Sequence, residues 1–218
     1  MIVTSHQRLG TTTTKTGFWL EELAAPYLEF RKQGVQTDIA SPAGGKPPAD
    51  PKSESDPTPA VRAFLDDAEV THKLATTLRL ADVATDYDAY FVVGGHGVMW
   101  DLAEDAALAK LLAHAYEQGR IVAAVCHGPA ALVNVRLSNG AYLVQDRRVA
   151  GFTNAEEAAV GLAEIVPFAL ESALRERGAK YESASMWSSF AVRDGNLITG
   201  QNPASSVAVA KATLEALA

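Results

Sequence analysis

The stretch "IVAAVCHGPAAL", residues 121–132, holds the only cysteine of the 218-residue chain, and a histidine follows it directly. An apolar, strand-like run ends at Cys126, and His127-Gly128-Pro129 opens a short helical stretch. Strand, sharp turn and helix in that order form a nucleophile elbow, here carrying sulfur in place of a serine oxygen. Such a turn brings the backbone of its central residue close to its neighbours, which suits the small residues Ala123, Ala124 and Gly128 around it. A helix N-terminus aimed at the sulfur would favour thiolate, the reactive form. A free cysteine is otherwise a small apolar filler, so it is the turn that argues for chemistry. The turn is also what lets His127 serve the same site, because adjacent side chains on a strand point opposite ways.

Two further stretches could join it. "YFVVGGHGVMWD", residues 90–101, is an apolar strand ending in Gly94-Gly95-His96-Gly97 before a helix. Its glycines permit a tight turn, with backbone amides free to hold a developing oxyanion and His96 placed to touch a ligand. The G-x-G-x-x-G spacing of dinucleotide sites is absent. "TGFWLEELAAPYLEF", residues 16–30, carries a helical stripe of Leu20, Leu23, Tyr27 and Phe30, with Glu22 off the stripe. Pro26 lacks an N–H, so the carbonyl of Glu22 loses its helical partner. His6, His72 and His114 have no spacing partner, and no H-E-x-x-H or C-x-x-C occurs. No metal or cofactor is therefore expected.

These pieces require a scaffold that gathers them at one edge. Strand-like runs at Ile2–Ser5, Val35–Ala40, Tyr90–Val93, Arg120–Val125 and Leu197–Gly200 alternate with helical patterns, which reads as a parallel sheet covered by helices. Ligands of such sheets bind beyond the carboxyl ends of the strands, where the cysteine turn and the glycine loop both lie. Residues 101–119 form a helix with Leu108, Leu111, Leu112 and Ala115 on one face, a capping box from Asp101 and Glu104, and Gly119 as its stop. A last helix opens on Asn202-Pro203 and repeats Val207, Ala210, Leu214 and Leu217. Asn139-Gly140 suggests a hairpin. Ser41–Pro59 holds six of the ten prolines. With only two strands before it, it reads as a long surface loop inside one domain, residues 1–218, rather than a linker.

A net charge of −7 argues against nucleic acid or an anionic membrane as partner. No apolar run is long enough to span a bilayer. Met1 leads straight into a strand-like run with no secretory signal, and a lone thiol suits a reducing compartment, so a cytoplasmic protein is expected.

"ASPAGGKPPADPKS", "VVGGHGVMWDL", "AAVCHGPAAL", "GFTNAEE" and "LITGQNPASS" together resemble the ThiJ/PfpI superfamily, related in fold to class I glutamine amidotransferases. Within it they resemble the branch of small heat-shock-type chaperones with glutathione-independent glyoxalase (glyoxalase III) activity. The resemblance runs nearly the whole chain. It implies a flavodoxin-like three-layer α/β sandwich, a mostly parallel sheet with helices on both faces, and a homodimer. It implies a lyase (D-lactate dehydratase) that turns the small reactive aldehydes methylglyoxal or glyoxal into lactate or glycolate through a cysteine hemithioacetal, with chaperone or protein deglycase activity beside it. Cys126 matches the nucleophile, His127 its histidine and Glu22 the acid near the sulfur. Gly95 and His127 match the oxyanion-hole amides. Glu157 falls where the branch has the acidic third member of a triad, although Asn154 and Glu157 are also spaced as a capping box. Two other readings stay open, a cysteine peptidase or amidase of the PfpI type and a redox-sensing holdase without catalysis. Glutamine hydrolysis of the amidotransferase kind needs a histidine well downstream of the cysteine, and none follows His127.

Overall fold

Apolar runs such as Ala89–Val92 and Ile121–Val125 have no polar alternation, the pattern of strands buried on both faces. A computed structural model describing all 218 residues places them at the centre of the sheet. The strands are β1 (Ala40–Ser41), β2 (Leu78–Arg79), β3 (Ala89–Val92), β4 (Ile121–Val125), β5 (Arg148–Val149), β6 (Lys180–Tyr181), β7 (Ala191–Asp194) and β8 (Leu197–Gly200). The α-helices are α1 (Leu20–Lys32), α2 (Pro51–Ser55), α3 (Pro59–Leu65), α4 (Ala68–Ala75), α5 (Ala106–Glu117), α6 (Asn154–Ala159), α7 (Leu170–Glu176) and α8 (Ser206–Leu217). Parallel pairing gives the order β2-β1, then Ile2 bridging Ala40 and Val92, then β3-β4-β8. β7 closes the edge antiparallel to β8, and β5 and β6 form a small parallel pair of their own.

The chain moves from Ile2 outward to β1 through α1, and from β3 the other way to β4 through α5. Right-handed crossovers in opposite directions put those helices on opposite faces of the sheet. α8 packs beside α1, and Phe30 of α1 meets Phe91 of β3 edge-on with ring centroids 5.8 Å apart. One hydrophobic core contains residues from both sides of the proline-rich stretch, including Ile2, Leu23, Val61, Phe64 and Val122. Ser41–Pro59 is anchored to the body: Phe18 pairs with Ala49, and Asp50 caps α2 while accepting a hydrogen bond from Thr16 Oγ1 at 2.9 Å.

Several elements differ from their sequence patterns. Ile2–Ser5 contributes only the bridges of Ile2, and Val35–Ala40 pairs only from Ala40 onward. Asp101 and Glu104 do not box a helix. Asp105 caps α5 instead, and Asp101 gathers Thr4 Oγ1 and the amides of Ser5, His6 and Leu102. Leu108, Leu112 and Ala115 are buried as expected, while Leu111 is only partly covered. Pro203–Ser205 is a turn of 3₁₀ helix before α8, whose buried face is Ser206, Val209, Ala210 and Thr213; Val207 is exposed. At Asn139-Gly140 a single antiparallel bridge, Arg136 to Tyr142, forms in place of a hairpin. The hairpin lies at β7–β8, turning through Gly195 at φ +63°.

Candidate active site

β3 and β4 are neighbours in register, Val92 beside Ala124, so the glycine loop and the cysteine turn emerge side by side at the carboxyl end of the sheet. Cys126 is buried and has φ +59°, a left-handed backbone that costs an L-residue roughly 1–2 kcal/mol. Two hydrogen bonds fix it there: its N–H donates to Gly200 O at 2.9 Å, and its C=O accepts from Phe152 N at 2.8 Å. The 3₁₀ helix that follows, Gly128–Leu132, is short, so it offers little dipole to the sulfur.

Glu22 reaches the sulfur from the first turn of α1. The start of that helix is tied to the glycine loop, Trp19 N–H donating to Gly94 O at 3.1 Å. A Cβ on Gly94 would lie 2.3 Å from Glu22 Oε2 and 2.5 Å from Val125 O, so only glycine leaves room for the carboxyl. Gly95 beside it has φ +101°. Glu22 is wholly buried, and neither carboxyl oxygen has a hydrogen-bond partner. Burial lifts its pKa to about 8; the Cys126 thiol and the Gly94 amide are near enough to moderate the rise, but neither is aligned as a hydrogen bond. At neutral pH this acid keeps its proton. Burial also pushes the Cys126 thiol up, and charge on Glu22 would push it further, against the pull of the His127 amide. The depressed thiol expected from the sequence is therefore not what the resting site holds.

His127 Nδ1 lies 3.4 Å from Cys126 Sγ, and its Nε2 lies 2.8 Å from Glu157 Oε2. Burial, helped by the neighbouring His96, brings His127 down to about 4, so the ring is neutral. Burial alone would raise Glu157, but hydrogen bonds from the two imidazoles outweigh it and hold the acid at about 2. An ionised Glu157 takes the Nε2–H of a neutral ring, which leaves the Nδ1 lone pair facing sulfur. Cys126, His127 and Glu157 thus form a connected line. The capping box of α6 is Thr153 with Glu156, one residue earlier than the spacing of Asn154 and Glu157 suggested, which frees Glu157 for the histidines.

His96 does more than line the glycine loop. Its Nε2 lies 2.8 Å from Glu157 Oε1, and its ring centroid is 4.0 Å from that of His127. His96, His127 and Glu157 bring three ligand-type atoms within 4.8 Å of one another, a donor set zinc could use. Motif spacing missed this cluster because its members come from three separate segments. In the structure both Nε2 atoms are engaged by the carboxylate.

Two residues that hold the candidate site in place escaped the sequence reading. Glu156 is buried and accepts from Thr153 N and Oγ1, Trp187 N, Gln201 Nε2 and Asn202 Nδ2. Phe152 packs on His127 with centroids 4.4 Å apart. The paired acids of "GFTNAEE" carried a signal: adjacent residues on a helix point different ways, so one can cap while the other faces the site.

Solved structures and curated sequences resemble this chain over nearly its whole length. The Rapid Encystment Protein 24 KDa of Francisella tularensis superposes with TM-score 0.97 at 41% identity, over 100% of this chain and 97% of that one. Glyoxalase III of Candida albicans gives TM-score 0.91 at 29% identity, over 99% and 95%. The glutathione-independent glyoxalase HSP31 of Saccharomyces cerevisiae is 30% identical, over 93% of this chain and 90% of its own. No helix is long and apolar enough to cross a membrane. The DJ-1/PfpI family profile matches residues 13–216, and the chain belongs to that family.

Proposed function

We propose that the chain is a glutathione-independent glyoxalase that converts methylglyoxal or glyoxal, with one water, to lactate or glycolate. The observation that carries this reading is Glu22, a buried carboxyl without a partner beside the one cysteine. A Cys-His hydrolase needs a nucleophile, a base and an oxyanion hole; it has no use for a second acid at the sulfur. Moving a proton between adjacent carbons does need one. Relatives named as glutathione-independent glyoxalases support the same choice.

In the proposed sequence His127 Nδ1 takes the thiol proton as sulfur adds to the aldehyde carbon. Glu22 gives its proton to the new alkoxide, forming a hemithioacetal, with the Gly95 and His127 amides holding oxygen. The Glu22 carboxylate then removes the hydrogen on that carbon. The ketone oxygen is protonated by His127, giving an enediol. Glu22 returns a proton to the second carbon and takes one from the first hydroxyl, leaving a thioester. The first carbon has lost two electrons and the second has gained them, so no external oxidant is required. Water, deprotonated by His127, cleaves the thioester, and His127 hands its proton back to sulfur.

The finer expectations belong to this proposal: a D-lactate dehydratase of the cytoplasm, working as a homodimer of single-domain chains. The deciding experiment is lactate formation from methylglyoxal without glutathione, wild type beside Cys126→Ala. Lactate from wild type and none from the variant is the expected result; peptide cleavage without lactate overturns it. Light scattering that returns a 23.1 kDa species would refute the dimer.

A further inference from the structure

The segment joining β6 to β7, "ESASMWSSF", runs past the site and puts two large apolar side chains in solvent, Met186 and Trp187, each 49% exposed. Trp187 is the outer end of a row of rings that begins at the reactive histidine. Phe152 lies on His127, and Trp187 lies on Phe152 with centroids 5.9 Å apart at 58°. Exposure along the row rises from 1% at His127 to 4% at Phe152 and 49% at Trp187, so the rings lead from the sulfur's neighbour to the surface.

The loop does not hold this indole out by slackness. Trp187 has φ +65°, a conformation that a bulky residue adopts only under constraint. Its N–H donates to buried Glu156 Oε1 at 2.9 Å. The same oxygen accepts from Gln201 Nε2 at 3.0 Å and Asn202 Nδ2 at 2.8 Å. Those amides also bind the loop: Asn202 Nδ2 donates to Ser188 O at 3.0 Å, and Gln201 Oε1 accepts from Ala184 N at 2.8 Å. A loop with no task beyond joining two strands would not need a buried carboxylate to hold an exposed tryptophan in a strained backbone.

We propose that Trp187, backed by Phe152, is a specificity-determining wall of the site, receiving the substituent R of a 2-oxoaldehyde R–CO–CHO and favouring aromatic R over hydrogen. This rests on the glyoxalase reading above. Stacking on an indole face rewards a flat apolar substituent and does nothing for glyoxal, which has none.

The test compares wild type, Trp187→Ala and Trp187→Phe on phenylglyoxal and glyoxal. Trp187→Ala lowers the kcat/KM ratio of phenylglyoxal to glyoxal by about tenfold, and Trp187→Phe recovers most of the ratio. A second measurement needs no turnover: the relative rate at which N-benzyliodoacetamide and iodoacetamide alkylate Cys126, expected to fall about fivefold in Trp187→Ala. If wild type leaves glyoxal unchanged while the alkylation ratio still depends on Trp187, the glyoxalase reading falls and the wall stands. If both ratios are the same in all three proteins, the wall is wrong. A Trp187→Ala protein with unaltered ratios and a changed mass in light scattering would assign the indole to a subunit contact and overturn the proposal.

Discussion

Glu22 and Cys126 stand side by side in a place where neither charge is welcome. Burial raises the acid to about 8 and raises the thiol as well, and ionising one makes the other harder to ionise. Two outcomes follow. Alkylation of Cys126 in the free enzyme should have its midpoint above the ordinary thiol value of ~8.5, and Glu22→Gln, which removes the neighbouring charge, should move that midpoint down. A wild-type midpoint well below the ordinary value would mean that the thiolate is already present at rest. Turnover needs neutral His127 and protonated Glu22, so kcat/KM against pH should be a bell with limbs near 4 and 8. Glu22→Gln should lower the plateau by at least ~100-fold, and its residual activity should lack the alkaline limb.

At the scale of elements, the site depends on how closely β3, β4 and α1 approach. Gly94→Ala would set a methyl 2.3 Å from Glu22 Oε2 and 2.5 Å from Val125 O. We expect that variant to fold with reduced stability and to lose lactate formation while Cys126 remains free to be alkylated; near-normal turnover would show that the carboxyl needs no such fit. The elements that carry Cys126, His96 and Glu22 were readable in advance because each has a local signal: glycines after an apolar strand, a cysteine between small residues, an apolar stripe at helical spacing. Which of Glu156 and Glu157 caps α6 was not readable, because Thr153 and Asn154 can each begin a capping box, and the distant side chains of Gln201 and Asn202 that bind Glu156 carry no local signal. β7 was missed for a different reason. Its Ala191–Asp194 sequence alternates weakly as an edge strand, and only Asp194-Gly195 marked the hairpin. The bond from Glu157 to His96 spans 61 positions and left no local trace.

For the molecule as a whole, two buried groups of the candidate site, His127 and Glu22, tie stability to pH. His127 is held below its ordinary value, so the unfolded chain binds more protons between about 6.5 and 4, and stability is lost as pH falls through that window. Glu22 is held above its ordinary value, so the folded chain binds more protons between 4.5 and about 8, and stability is lost as pH rises through that window. The gain from Glu22→Gln, measured by denaturant unfolding, should therefore be larger at pH 9 than at pH 4, by up to roughly 5 kcal/mol. An equal gain at both pH values would place the titration elsewhere. The partnerless carboxyl of Glu22 burdens the fold even when it is neutral, since its oxygens have exchanged water for nothing. In a lineage released from selection for turnover, a methionine or leucine that drifts into position 22 would be favoured for stability alone, because it leaves no buried polar atom without a partner. Such pseudoenzymes should surrender this acid early, while the cysteine, which packs as an apolar residue, persists behind it as a relic.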